Sequence, residues 1–335
     1  MKAFVVTAPG SSSLLEWPEP VTKEGETIVR PLLAGMCGTD LELIDGTIDL
    51  AYVRYPLVLG HEWVGEVVES GELGPAGSRV VVEGIIPCGQ CGPCQRGATN
   101  LCEIYDEIGF TRPGALAERV SVPSSLAHRL SDDVNLDDAV LVEPMAVVWR
   151  ALTRIALRPH LRVAVIGDGT IALLAAHLVQ LFEPASTTVI GRREEQRELA
   201  QRAGADEFLT EIPDRTFDLV IEAAGNANAV QSAIEHCGRG GVVILLGLPP
   251  HGATVQIAPD DLVNNDIIIE ASFSYTRRAF ADVVAQLNAG ALRPSFLITH
   301  RFALDTTSEA VSALRGGYAH EPRGKVVVDL AGQHP

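Results

Sequence analysis

The amino-acid sequence predicts an α/β chain of two domains, one β-rich and one built on a doubly wound parallel sheet. Three observations predict it. At 335 residues the chain is too long for one ordinary hydrophobic core. Up to about residue 150 it carries short apolar runs broken by Gly and Pro, as a β-rich domain with frequent turns does. Beyond that point short β-branched runs alternate with helical segments, which implies right-handed β-α-β units and a parallel sheet.

In the first region Ile28-Val29, Gly65 to Val68 and Arg79 to Val82 are strand-like. Leu161 to Ile166 is a strand that runs into a glycine turn, and Thr170 to Phe182 is apolar nearly all round, as a buried helix is. Thr187 to Ile190 is the next strand, followed by a polar amphipathic helix over Glu194 to Ala203. Phe217 to Ala223 and Gly241 to Leu246 are strands with a helix, Asn228 to Cys237, between them; Asp266 to Ala271 is the last strand of this region. The tail from Arg293 reverts to strand at Lys325 to Leu330 and is expected to pack back on the first domain. The expected division is 1–149 with 291–335, and 150–290.

No stretch reaches the ~18 uninterrupted apolar residues of a membrane span. The first residues, MKAFVVTAPGSSS, have no signal-peptide core, so a cytoplasmic location is expected. A formal net charge of -17 repels phosphate backbones and argues against nucleic-acid partners. Four of the six cysteines, Cys88, Cys91, Cys94 and Cys102, follow a C-x2-C-x2-C-x7-C spacing. Zinc takes four thiolates at tetrahedral corners, and short Gly/Pro-containing gaps let successive cysteines turn inward around one ion. With no open position, such a zinc is structural, and its binding energy holds a lobe at about 85–105 that lacks a core of its own.

Val163-Ala164-Val165-Ile166-Gly167-Asp168-Gly169-Thr170-Ile171-Ala172 is a strand, a glycine turn and a helix start. Gly167 permits the turn and Gly169 lets a pyrophosphate approach the helix N-terminus, with Thr170 and Ile171 opening the helix, so the segment predicts a dinucleotide site. NAD enzymes place an acid ~20 residues further on, at the end of the second strand. Here Thr187 to Ile190 runs into Gly191-Arg192-Arg193. Without the carboxylate nothing repels a 2′-phosphate, and Arg192 and Arg193 can grip it, so NADP is expected to be preferred over NAD.

Three further fragments are individually weak: Cys37-Gly38-Thr39-Asp40, Gly60-His61-Glu62 and Val142-Glu143-Pro144-Met145-Ala146. Together with the cysteine lobe and the glycine turn, in this order, they resemble the zinc-containing medium-chain dehydrogenase/reductase superfamily, in particular its polyol, threonine and glucose dehydrogenase branch. The likeness runs from Met1-Lys2-Ala3 to Gly324-Lys325-Val326-Val327. It implies a GroES-like β-rich catalytic domain plus a Rossmann doubly wound parallel-sheet domain, and a small-molecule alcohol or ketone substrate. Cys37, His61 and Glu143 resemble the positions around a catalytic zinc; Glu62 resembles a neighbouring acid that is either a ligand or a ligand's partner. Such a zinc lowers the pKa of a substrate hydroxyl. Thr39 matches the hydroxyl that accepts the substrate proton, and Asp40 a residue that orients a ligand. Glu222-Ala223-Ala224-Gly225 resembles the segment lining the adenosine side. Leu246-Gly247-Leu248 and Ser272-Phe273-Ser274-Tyr275 resemble those flanking the nicotinamide. Two positions depart from the pattern: Glu42 and Arg150 stand where many relatives have His. Tyr52, Tyr55, Trp63 and Tyr275 are candidates for the substrate pocket.

The implied activity is hydride transfer between a secondary alcohol (a polyol, sugar or cyclitol) and NADP. The alternatives are an NAD-dependent sorbitol- or threonine-type dehydrogenase, a zinc-free reductase of the same superfamily, and a non-catalytic nucleotide-binding protein. The resemblance also implies a homodimer or homotetramer formed through the edge of the nucleotide-binding sheet.

Overall fold

The computed structural model describes residues 1–318 and 320–333, so residues 319, 334 and 335 of the expected 291–335 segment lie outside the described residues. The chain divides into two units: Met1–Glu143 with Thr276–Ala319 and Lys325–Pro335, and Pro144–Tyr275 with His320–Gly324.

The first unit is β-rich. Its larger sheet runs in the order Ile298–Ala303, Lys325–Asp329, Glu26–Met36, Glu62–Val67, Arg79–Val82, Ala127–Arg129, and Val120–Pro123 also pairs with Glu26–Met36. A small sheet joins Ser11–Glu16, Lys2–Ala8 and Leu57–Val58. Alternation within the strands turns Ala34, Met36, Trp63, Val67, Val80, Val82, Val326 and Val328 into one core. The C-terminal strand returns to this unit, as its sequence implies, pairing Val326 with Met36 and Val328 with Ala34.

The second unit holds a six-stranded parallel sheet in the spatial order Glu207–Leu209, Ser186–Ile190, Arg162–Ile166, Phe217–Glu222, Cys237–Leu245, Ile268–Ala271. Numbered along the chain this is 3-2-1-4-5-6, the doubly wound order. The order reverses between Arg162–Ile166 and Phe217–Glu222, and in such sheets the crevice beyond the carboxyl ends at that point takes the ligand.

Four details differ from the sequence expectation. Strand Glu207–Leu209 was too short to show a period. The helix expected to reach Cys237 ends at Glu235, and Cys237 opens the next strand. The helix expected from Glu194 to Ala203 is a 3-10 turn over Glu194–Gln196 followed by an α-helix over Arg197–Arg202. Helix Arg277–Asn288, inside the expected 150–290 region, groups with the first unit. Its tethers explain why: the Arg277 backbone N–H donates to Oγ1 of Thr99 at 3.1 Å and its guanidinium pairs with buried Glu83, while Asn288 accepts from the Ser131 N–H at 3.0 Å.

Candidate active site

The Cys37-Gly38-Thr39-Asp40 fragment is a helix start. Cys37 is the N-cap of helix Gly38–Asp45, and Asp40 reaches back to accept the Cys37 N–H at 2.8 Å. This fixes the Cys37 thiol beside the Thr39 hydroxyl, with Sγ and Oγ1 3.6 Å apart. Asp40, wholly buried, presents its other oxygen 3.5 Å from Nδ1 of His61. Burial alone would lower the His61 pKa, but the Asp40 carboxylate and the neighbouring Cys37 outweigh it and hold the imidazole well above its usual value.

Cys37, His61 and Glu62 each bring a ligand atom within 4.8 Å of the others. Glu143, at the start of helix Val142–Thr153, is not in this close set, a difference from the expected trio of Cys37, His61 and Glu143. Its carboxyl nonetheless senses the cluster. Burial and the Glu62 charge push it up to about 8, while His61 and Lys325 pull the other way. The residue the sequence reading missed is Lys325. Lys325 opens one of the two strands that flank Glu26–Met36, and Glu62 opens the other. Glu62 pairs with Gly35, and the Lys325 side chain reaches toward the same glycine from the position two before Val327, which pairs with Gly35 on the other side. A Cβ at Gly35 would lie 2.7 Å from Lys325 Cε and 2.8 Å from Oε2 of Glu62. The ammonium and the carboxylate form a buried ion pair in the space that glycine leaves. A lysine opening an otherwise apolar Val-Val-Val run was the available signal. Two acids, a thiol and a buried imidazole gather about one lysine, and a divalent cation fits the thiol, imidazole and carboxylate donors of that set.

Next to the cluster the His61 ring lies 5.2 Å from Phe110, which meets Tyr105 edge-on; Tyr105 in turn meets Tyr52 edge-on at 5.1 Å. The Tyr105 hydroxyl donates to Glu107. Tyr52 is half-exposed. Tyr55 instead donates to the Leu43 carbonyl at 2.6 Å, and Trp63 and Tyr275 are buried, so Trp63 belongs to the core rather than to a pocket. Glu42 is exposed on helix Gly38–Asp45.

The cysteine lobe is a separate cluster. The Sγ atoms of Cys88, Cys91, Cys94 and Cys102 all lie within 4.8 Å of one another, with Cys91 and Cys102 4.0 Å apart. A tetrahedron of thiolates at ~2.3 Å from zinc has edges of roughly 3.8 Å, so the set needs little adjustment. Backbone N–H groups of Gln90 and Cys91 pull the Cys88 thiol down to about 6, whereas burial pushes Cys94 up to about 12. Four sulfurs this close cannot all ionise without a cation between them.

In the second unit the glycine turn sits at the carboxyl end of Arg162–Ile166, beside Ala223 at the end of Phe217–Glu222. Gly167 has φ 133° and a Cβ there would meet the Ala223 carbonyl at 3.0 Å, which excludes other residues. Gly169, the N-cap of helix Thr170–Leu178, has nothing within 4 Å on its Cβ side, so an incoming phosphate has room at the helix N-terminus. The Thr170 hydroxyl is already engaged, donating to the Gly324 carbonyl at 2.6 Å; Ile171 is half-buried. Ala224 and Gly225 turn their N–H groups onto buried Glu222, and the Gly247 N–H onto the Glu222 carbonyl at 3.0 Å. Leu248 and Phe273 are exposed. Ser272 accepts from buried Arg150 at 2.7 Å, so the Arg150 departure is built into this unit. Arg192 is exposed, whereas Arg193 is ion-paired with Asp168.

A β-rich unit with a compact metal-ligand cluster, joined in one chain to a glycine turn on a 3-2-1-4-5-6 parallel sheet, defines a metal- and dinucleotide-dependent oxidoreductase. Comparison with known proteins agrees. Residues 23–132 match the family model of the alcohol dehydrogenase GroES-like domain, and residues 136–318 that of the glucose dehydrogenase C-terminus. An L-threonine 3-dehydrogenase from Streptomyces avermitilis is 33% identical over 339 residues, covering 94% of this chain and 95% of its own. A sorbitol dehydrogenase from Bacillus subtilis is 28% identical over 329 residues, covering 93% and 92%. The structure of a zinc-binding dehydrogenase from Sinorhizobium meliloti bound to NADP matches with a TM-score of 0.91 at 28% identity, covering 98% of this chain and 99% of that one. The chain belongs to the zinc-containing medium-chain dehydrogenase/reductase superfamily and is a zinc-dependent NAD(P) oxidoreductase of the alcohol dehydrogenase type.

Proposed function

We propose that the protein oxidises a secondary alcohol with several hydroxyls (a polyol, sugar or cyclitol) to a ketone, or runs the reverse reaction, with NADP as the preferred coenzyme. The observation that supports this best is the close set of Cys37, His61 and Glu62. Cys37 and His61 hold the catalytic zinc, joined by Glu62 or Glu143, while Cys88, Cys91, Cys94 and Cys102 hold a second, structural zinc. When bound, the catalytic zinc supplies a Lewis acid that lowers the pKa of a substrate hydroxyl, and the coenzyme supplies or accepts the hydride.

The chain's own residues do the rest. Asp40 faces Nδ1 of His61, which leaves Nε2 for the metal and raises its basicity. Thr39, fixed beside Cys37, would accept the proton from the substrate hydroxyl while giving up its own toward solvent, since a hydroxyl can accept and donate at once. Lys325 neutralises Glu62 whenever that carboxylate is not a ligand. Tyr105 and Glu107, linked to His61 through Phe110, offer a phenol and a carboxylate to the further hydroxyls of a polyol. Gly167, Gly169, Thr170, Ile171 and Gly191 shape the coenzyme site, with Ala224, Gly247, Leu248, Ser272 and Phe273 along its length. Exposed Arg192 supports NADP over NAD. Reduced, metal-binding thiols suit the cytoplasm, and the edge strand Ile268–Ala271 suits pairing of two copies.

The test is a panel of polyols, cyclitols, aldoses and aliphatic secondary alcohols with each coenzyme, read by NADPH or NADH absorbance. Turnover of a polyhydroxylated substrate, faster with NADP, is expected. Turnover of simple aliphatic alcohols alone overturns the substrate class. Arg192→Ala should weaken NADP binding about tenfold while moving NAD less than about twofold; equal losses contradict the phosphate grip.

A further inference from the structure

Asp168 stands between the two glycines of the coenzyme turn, a position the fingerprint leaves open. Its carboxylate reaches across to the loop that follows strand Ser186–Ile190. Oδ2 accepts the backbone N–H groups of Arg192 at 2.8 Å and Arg193 at 3.0 Å. Oδ1 accepts Nη2 of Arg193 at 2.8 Å and Nε at 3.2 Å, and Nη2 also donates to the Asp168 carbonyl at 3.0 Å. Gly191 makes the approach possible, since a Cβ there would lie 2.6 Å from Asp168 Cβ. Gln196 closes the arrangement by donating to the carbonyls of Asp168 and Arg323 at 2.5 Å and 2.9 Å and accepting the Arg323 N–H at 2.8 Å. Burial would raise the Asp168 pKa, but Arg193 and the two N–H groups outweigh it and hold the carboxyl below its usual range. Asp168 is therefore an anion at neutral pH.

Two adjacent backbone N–H groups and a guanidinium edge are a phosphate-binding set. Here that set already holds an anion. We propose that Asp168 is a built-in brake on 2′-phosphate binding, its carboxylate filling the anion corner made by the N–H groups of Arg192 and Arg193 and the Arg193 guanidinium. The preference for NADP is then set by Asp168 as well as by the arginines, and is smaller than two adjacent arginines imply. This rests on the reading that the 191–193 loop receives the ribose end of the coenzyme.

The test is calorimetric binding of NADP, NAD and 2′,5′-ADP to the zinc-loaded wild type, Asp168→Asn and Asp168→Ser, with thermal denaturation as the folding check. Both variants should bind NADP and 2′,5′-ADP about tenfold more tightly, with NAD changed less than about threefold. No tightening of either 2′-phosphate ligand overturns the brake. A selective loss of NAD also overturns it, since the carboxylate would then be holding ribose hydroxyls. If neither variant folds, a wild-type crystal structure with 2′,5′-ADP decides: the Asp168–Arg193 contact should open beyond about 4 Å, and an intact pair contradicts the proposal. A wild type that favours NAD, with Arg192→Ala neutral, would defeat the NADP preference alone; tightening in Asp168→Asn would still support the brake.

Discussion

The two metal-ligand clusters of the first unit are built on opposite principles. The lobe gathers Cys88, Cys91, Cys94 and Cys102 from one short stretch, four equal soft donors with no place left for a substrate. The other cluster draws Cys37 from a helix N-cap, Glu62 from the first position of a strand and His61 from the residue before it, and Lys325 from the C-terminal strand. Its donors are mixed, and a charged partner stands behind each of two: Asp40 at His61 and Lys325 at Glu62. A closed set of identical ligands serves to hold chain. A mixed set with its own counter-charges tolerates a change of coordination, which is what a site handling substrate requires.

This contrast can be broken or sharpened by substitution, beginning with the largest effect. Cys37→Ala should lower kcat/KM by about 10⁴-fold, the loss expected when several kcal/mol of Lewis-acid stabilisation disappears. The lobe zinc and the coenzyme Kd should be retained. Zinc content by atomic absorption and coenzyme titration check this, and loss of both metals would erase the distinction between the clusters. Cys94→Ser should act the other way, releasing the lobe zinc, costing about 4 kcal/mol of stability and opening 85–105 to proteolysis, with the Cys37 cluster still loaded. The smallest effect separates the counter-charges from the ligands. Lys325→Met should destabilise the metal-free protein by about 3 kcal/mol, because Glu62 is left buried and unpaired. With zinc bound the loss should shrink; urea unfolding with and without chelator measures both. An equal loss in the two states would mean that Glu62 never turns to the metal.

The same contrast explains what the sequence made legible. The lobe is local, so spacing alone reveals it, and the glycine turn is local too. The Cys37 cluster is spread from Cys37 to Lys325, and no spacing rule connects those positions; resemblance brought three of its members together. Lys325 stayed hidden because its partnership depends on which strands flank Glu26–Met36 and on the space Gly35 leaves between two side chains. The Asp168–Arg193 pair was missed for a similar reason, since parallel neighbours Ile166 and Ile190 bring two loops side by side that are distant in the chain. Trp63 was misjudged because an aromatic next to a site motif faces inward or outward according to strand phase, which the motif does not set.

The central claim is that a second zinc binds among Cys37, His61 and an acid, apart from the four-cysteine lobe. Anomalous diffraction at the zinc edge from crystals of the zinc-loaded protein tests it most directly. Two peaks per chain are expected, one at the centre of Cys88, Cys91, Cys94 and Cys102 and one about 2.3 Å from Sγ of Cys37. A single peak, in the lobe, would contradict the account.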